Sequence, residues 1–119
     1  MNLFNEKIIS QIIESGSNSN GNYVKYADGT MICYGRIYDD ITINNVYTPG
    51  VYYMTKRLTF PKTFIDIPTI TITPLNLNNL LSSNIYSISS SAVDLFVYSF
   101  KSLTGIATRI NYIAIGKWK

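Results

Sequence analysis

The chain has 119 residues, 46% of them hydrophobic and only 14% charged, with a formal net charge of +3; this length fits one domain with a real core but a high surface-to-volume ratio. Its basic residues are scattered from Lys7 to Lys119, with Lys56-Arg57 the one adjacent pair, unlike the clustered basic stripe of a nucleic-acid binder. One cysteine, no histidine and no apolar run near the ~18 residues of a membrane span argue against a disulfide framework, Cys/His zinc sites and membrane insertion.

Over residues 3–14, Phe4, Ile8, Ile9, Ile12 and Ile13 recur at spacings of three to five, uninterrupted by proline or glycine. The pattern predicts a short amphipathic helix. About three turns are marginal alone, so its isoleucine face must pack on something. Isoleucine-rich seams favour three or more chains over two; docking on its own domain is the other reading. Residues 15–21, Ser15-Gly16-Ser17-Asn18-Ser19-Asn20-Gly21, have the composition of a linker.

From residue 22 onward the chain reads as β. Tyr, Ile, Val and Thr dominate windows near 22–27, 30–38, 51–60, 64–73, 84–90, 92–100 and 106–118. Asp28-Gly29 between the first two predicts a tight hairpin, because glycine accepts positive φ and aspartate bonds its own backbone. Cys33 falls inside an apolar strand and reads as a buried small hydrophobe. Alternation puts Tyr52, Met54, Leu58 and Phe60 on one face, and Ile70 and Ile72 opposite Thr69, Thr71 and Thr73. The 92–100 strand is apolar on both faces, Val93, Leu95 and Val97 against Phe96, Tyr98 and Phe100. One of these faces needs a neighbour outside the domain. Gly116 predicts a bulge or a close backbone approach, and Trp118 is expected to be pinned against the core.

Without histidine, ordinary serine and cysteine triads are excluded. The adjacent acids Asp39-Asp40 diverge if they lie in a strand, so they make no glycosidase pair, and no EF-hand spacing joins them to Asn44 for calcium. There is no Walker or dinucleotide motif. No catalysis, metal or cofactor is expected. Ten tyrosines against one tryptophan suggest instead a surface where an aromatic ring takes the C–H face of a sugar while amides and carboxylates take its hydroxyls. Two clusters supply these groups: Tyr38, Asp39 and Asp40 with Asn44, Asn45 and Tyr47; and Asn76, Asn78 and Asn79 with Asn84 and Tyr86.

Three motifs carry a family resemblance. The run Ser17-Asn18-Ser19-Asn20-Gly21-Asn22-Tyr23, continued by Asp28-Gly29-Thr30-Met31-Ile32-Cys33-Tyr34-Gly35, resembles the pattern SNxNGxYxxFxDGTxICWG. The end, Tyr112-Ile113-Ala114-Ile115-Gly116-Lys117-Trp118-Lys119, resembles WIAIGRWK, and Phe60-Pro61-Lys62-Thr63-Phe64 resembles an FPxxF segment between them. Tyr34 and Tyr112 stand where tryptophan is common, and Lys117 where arginine is. These motifs belong to the C-terminal domain of phage tail-fibre and receptor-binding proteins, which is similar to the trimeric β-sandwich of H-type lectins.

The resemblance implies an all-β antiparallel sandwich of about six or seven strands over residues 22–119; in a fibre the helix read from periodicity, as segment 1–14, is then a trimeric shaft junction and residues 15–21 its linker to the sandwich. It further implies a homotrimer on a virion tail fibre or tail-like particle, released by lysis and binding a bacterial surface glycan. A structural trimerisation or capping module that binds nothing is the alternative. Strict up-and-down parity groups the loops at 39–50, 74–83 and 101–105 at one end, on the N-terminal side. This favours a groove between protomers over a site at the tip.

Overall fold

The computed structural model describes residues 11–119, which form nine strands. They are β1 (Ile12–Asn18), β2 (Gly21–Tyr26), β3 (Thr30–Ile43), β4 (Asn45–Thr48), β5 (Val51–Thr59), β6 (Thr69–Leu75), β7 (Ser82–Ile88), β8 (Ala92–Ser99) and β9 (Leu103–Lys117). Two sheets result, in the orders β1-β2-β3-β9-β6 and β4-β5-β8-β7, with every pairing antiparallel. The all-β sandwich is thus as expected, with more strands than six or seven, and its dimensions are 60 × 23 × 23 Å.

The long axis comes from β3 and β9, which pair from Thr30↔Lys117 to Ile43↔Leu103. Their alternate residues Met31, Cys33, Ile41 and Ile43, and Ile110, Tyr112 and Ala114, are buried. They meet Leu58 of β5 and Val93, Leu95 and Val97 of β8 from the second sheet. Each fully buried aliphatic side chain in this layer contributes about 1.5–3 kcal/mol of transfer free energy. The faces read from alternation in β5, β6 and β8 are those observed: Leu58 and Phe60 lie in the core, Ile70 and Ile72 pack against it, and Thr69, Thr71 and Thr73 are exposed.

The Asp28-Gly29 hairpin forms as its chemistry demands. Gly29 has φ +97°, its N–H donates to the Tyr26 carbonyl, and Asp28 Oδ1 accepts the Thr30 N–H at 2.9 Å. The Phe60–Phe64 segment turns the corner between the sheets. Phe60 N–H bonds Ser91 O, Phe64 N–H bonds Ser90 O, and Ile65 N–H bonds Lys117 O, while the two rings meet edge to face at 5.4 Å. Gly116 is a close approach, as expected: a Cβ there would stand 2.9 Å from the Phe64 ring and 3.1 Å from Pro68.

Three expectations need correction. Most of the predicted helix lies outside the described residues, but its end does not: Ile12, Ile13 and Glu14 belong to strand β1. The predicted linker is no linker either, since residues 15–18 continue β1, Ser19-Asn20 turn, and Gly21 opens β2, with Ser15↔Val24 and Ser17↔Asn22 paired. Strand β6 begins at Thr69 rather than 64, because Pro68 and the corner occupy the preceding residues.

The additional strand β1 reverses the polarity inferred from parity. Gln11 O accepts the Ala27 N–H at 2.9 Å, and Trp118 N–H donates to Gly29 O. The described chain therefore enters at the end where it also finishes. The loops that follow β3, β6 and β8 gather at the opposite, distal end, where Gly105 N–H bonds the Thr42 hydroxyl and Asn76 Nδ2 bonds Ala107 O. Turns 27–30, 61–63 and 89–91 do share the end with Lys119, as parity required.

Cys33 is fully buried, and its thiol donates to Lys62 O at 3.7 Å. Desolvation pushes its pKa up to about 11, so the thiolate that would react is scarce at neutral pH. We expect a thiol reagent to leave the native protein unlabelled over hours and to modify it promptly in denaturant. Rapid native labelling would be incompatible with this register.

Candidate functional site

At the distal end, an open depression of about 530 Å³ lies over the ends of β3, β6 and β9. Strand β3 contributes Tyr38, Asp39 and Asp40, and the loop after β6 contributes Asn76, Leu77, Asn78 and Asn79. Strand β9 lays its floor with Ile106, Ala107, Thr108 and Arg109. The sequence forms this wall because the loop is fixed by its own first residue. Asn76 donates from Nδ2 to Ala107 O at 2.8 Å, and its Oδ1 accepts from Asn78 N and Asn79 Nδ2, both at 3.0 Å. Asn76 is therefore an anchor whose polar atoms are occupied. The Asn78 amide has no side-chain partner among the described residues.

The two acids differ in the same way. Asp39 is engaged by Lys56 of β5, whose Nζ reaches across from the other sheet to 2.7 Å from Oδ2. Asp40, exposed, has no cationic partner within ion-pair distance among the described residues, and remains available to accept from hydroxyl groups. Tyr38 stands opposite Arg109 in the β3–β9 register, and the guanidinium lies 5.4 Å from the ring centroid.

The predicted clusters are thus recombined. Tyr38, Asp39 and Asp40 join Asn76, Asn78 and Asn79 in one depression, drawing on both clusters. Tyr47 and Tyr86 leave for the outer face of the second sheet, where Tyr47 meets Tyr53 edge to face at 6.3 Å and Tyr86 lies 4.5 Å from Phe96. Asn84 lines a smaller hollow of about 240 Å³ there, with Tyr47, Val51, Tyr53, Phe96 and Tyr98. Asn44 and Asn45 line neither depression; Asn45 instead pairs with Tyr53 at the sheet edge. Arg109, Thr108 and Leu75 were missed. Nothing local marks them, because they read as ordinary strand residues: Thr108 and Arg109 reach the site through the pairing of β9 with β3, and Leu75 through the pairing of β6 with β9.

The fold places the chain in a recognisable class. It is similar to the R1 pyocin fibre of P. aeruginosa, at 18% identity and TM-score 0.58, over 87% of this chain and 28% of that one. A truncated R1-type pyocin tail fibre matches with the same TM-score at 17% identity, over 98% of this chain and 97% of that one. Discoidin II of Dictyostelium discoideum matches at 14% identity and TM-score 0.58, over 74% of this chain and 37% of that one. No family model and no curated protein matches the sequence significantly. The tail-fibre and lectin-like resemblance read from the motifs therefore holds at the level of the fold, and the chain spans about a quarter of the longer fibre structure.

Proposed function

We propose that this domain is the receptor-binding tip of a phage or phage-derived tail fibre, which binds bacterial surface carbohydrate through the distal depression and works as a homotrimer. The depression opens at the end away from Gln11 and Lys119, so a fibre joined at the opposite end leaves it outermost. An aromatic ring, an unpaired carboxylate, the free amide of Asn78 and apolar Leu75, Leu77 and Ile106 supply the mixed surface that a sugar needs. No step of catalysis is required, and attachment comes from several weak sites acting together.

Trimerisation is supported by what remains uncovered. On the outer face of the first sheet Tyr34, Ile113 and Ile115 are 42%, 52% and 48% exposed, and the second sheet shows its aromatic row. A chain with 14% charged residues has little else to cover such faces. Light scattering should give about three times the 13.4 kDa chain mass. A monomer whose mass is independent of concentration would remove the trimer.

Binding to cell walls from candidate hosts and to an array of bacterial glycans tests the site. Asn78→Ala, which removes the amide that has no side-chain partner among the described residues and leaves the Asn76–Asn79 bond in place, is expected to weaken binding without losing thermal stability. An intact trimer that binds no wall and no glycan would leave the capping module in its place, and shortening of purified host polysaccharide would introduce an enzyme.

A further inference from the structure

The three arginines of the chain are in different states. Arg57 is forked onto Asp94, with Nε–Oδ1 at 2.7 Å and Nη2–Oδ2 at 3.0 Å, and Arg36 donates from Nε to Asn111 Oδ1 at 3.0 Å. Arg109 has neither an ion pair nor a side-chain hydrogen bond among the described residues, yet it is not loose: its guanidinium lies over the Tyr38 ring, in the lining of the distal depression. A guanidinium held near a ring by cation–π attraction keeps all its N–H donors, because the ring accepts no in-plane hydrogen bond from them. What is held ready there is a planar fork of donors, the geometry that fits a carboxylate or phosphate with two parallel hydrogen bonds.

Resting on the carbohydrate reading proposed for this depression, we infer that its ligand is an acidic saccharide or polyol unit, whose oxyanion is read by Arg109. Asp40, on the same outward face of β3 as Tyr38, accepts hydroxyl protons from the neutral part of the ligand. Its negative charge also sets a direction, since an oxyanion is drawn to the Arg109 side and repelled from the Asp40 side. The other carboxylate does not compete for Arg109, because Lys56 holds it at 2.7 Å. Leu75 and Leu77 face the remaining C–H surface of the unit. The shared chemistry is an anion on a polyhydroxylated body, supplied by a uronate or by a polyol phosphate.

The test compares three soluble probes against the same protein: oligogalacturonate for the carboxylate, poly(glycerol phosphate) for the phosphate, and a neutral galactan. One acidic probe is expected to bind at least about tenfold more tightly than the galactan, consistent with a charge-assisted bidentate contact. That preference should shrink as salt is raised toward 1 M, where screening acts within roughly 3 Å. Arg109→Gln should reduce acidic binding to the galactan level, and Arg109→Lys should restore part of it, since charge returns without the fork. Melting temperature, measured on each variant, confirms that the fold is retained.

Binding to host cell walls separates this inference from the function it rests on. If the unsubstituted protein binds walls and Arg109→Gln binds them equally well, or if the galactan is preferred, the anionic ligand is wrong while the carbohydrate site stands. If the unsubstituted protein binds neither walls nor any of the three probes, the receptor-binding reading itself fails. Walls bound with a salt-sensitive loss of about tenfold in Arg109→Gln would uphold the inference even where neither acidic probe is the natural unit.

Discussion

Trp118→Ala is expected to lower stability by about 3 kcal/mol, the lower bound for truncating a large aromatic, because the indole is half-buried rather than sealed. Here both of its nitrogens are used: the backbone N–H donates to Gly29 O at 2.9 Å and Nε1 to Tyr26 O at 2.7 Å. The Lys25 and Lys119 ammonium groups each stand 5.1 Å from the ring centroid. The indole therefore clasps the C-terminal end onto the β2–β3 hairpin. Calorimetry should show a melting temperature lower by roughly 10 °C for a domain of this size, and the single tryptophan of the unsubstituted protein should emit to the blue of free indole. Should the variant melt normally but fail to bind host walls, the indole would be a sugar platform and its structural role would be refuted.

Tyr112→Ala is expected to cost as much or more, about 3–5 kcal/mol. The ring is 2% exposed, lies against Phe60 at 6.2 Å, and covers Gly35, where an added Cβ would come within 2.9 Å of it. Its hydroxyl donates to Asn20 O at 2.7 Å, so one side chain joins the core of β9 to the β1–β2 turn. Burial raises the pKa of this phenol above the tyrosine range. Tyr112→Phe separates the two roles. It keeps the ring and leaves Asn20 O without its donor, for a loss of about 1 kcal/mol. Equal losses in the two variants would mean that the hydrogen bond, not the packing, holds this region.

Much of the fold was legible locally. Asp28-Gly29 dictates its hairpin through backbone chemistry alone, and period-two alternation assigns Leu58, Ile70 and Leu95 to the interior without any knowledge of partners. The two-faced pattern of residues 92–100 was also sound: Val93, Leu95 and Val97 fill the core while Phe96 joins an outer aromatic row. The last residues of the predicted helix, Ile12–Glu14, misled for a physical reason. Adjacent isoleucines Ile12 and Ile13 fit a helical spacing, but in β1 they stand 54% and 52% exposed beside an irregularity in the β1–β2 register. What places them in a strand is pairing with β2, beginning at Ile12↔Tyr26. Propensity and periodicity do not contain that long-range term.

The candidate site divides along the same line. The sequence by itself determined which residues carry sugar-like chemistry, because amides, acids and tyrosines are visible as residue types. Only the tertiary structure decided which of them meet. Alternation fixes the face a strand residue occupies but not the residue beside it, and that neighbour is chosen by register between strands distant in the chain. Register set Tyr38 against Arg109 and Asp40 against Ala107, sent Tyr47 and Tyr86 to the other sheet, and made Asn76 an anchor. The end at which the site opens was decided by one additional strand, because each antiparallel turn reverses the chain and β1 brings Gln11 beside Ala27.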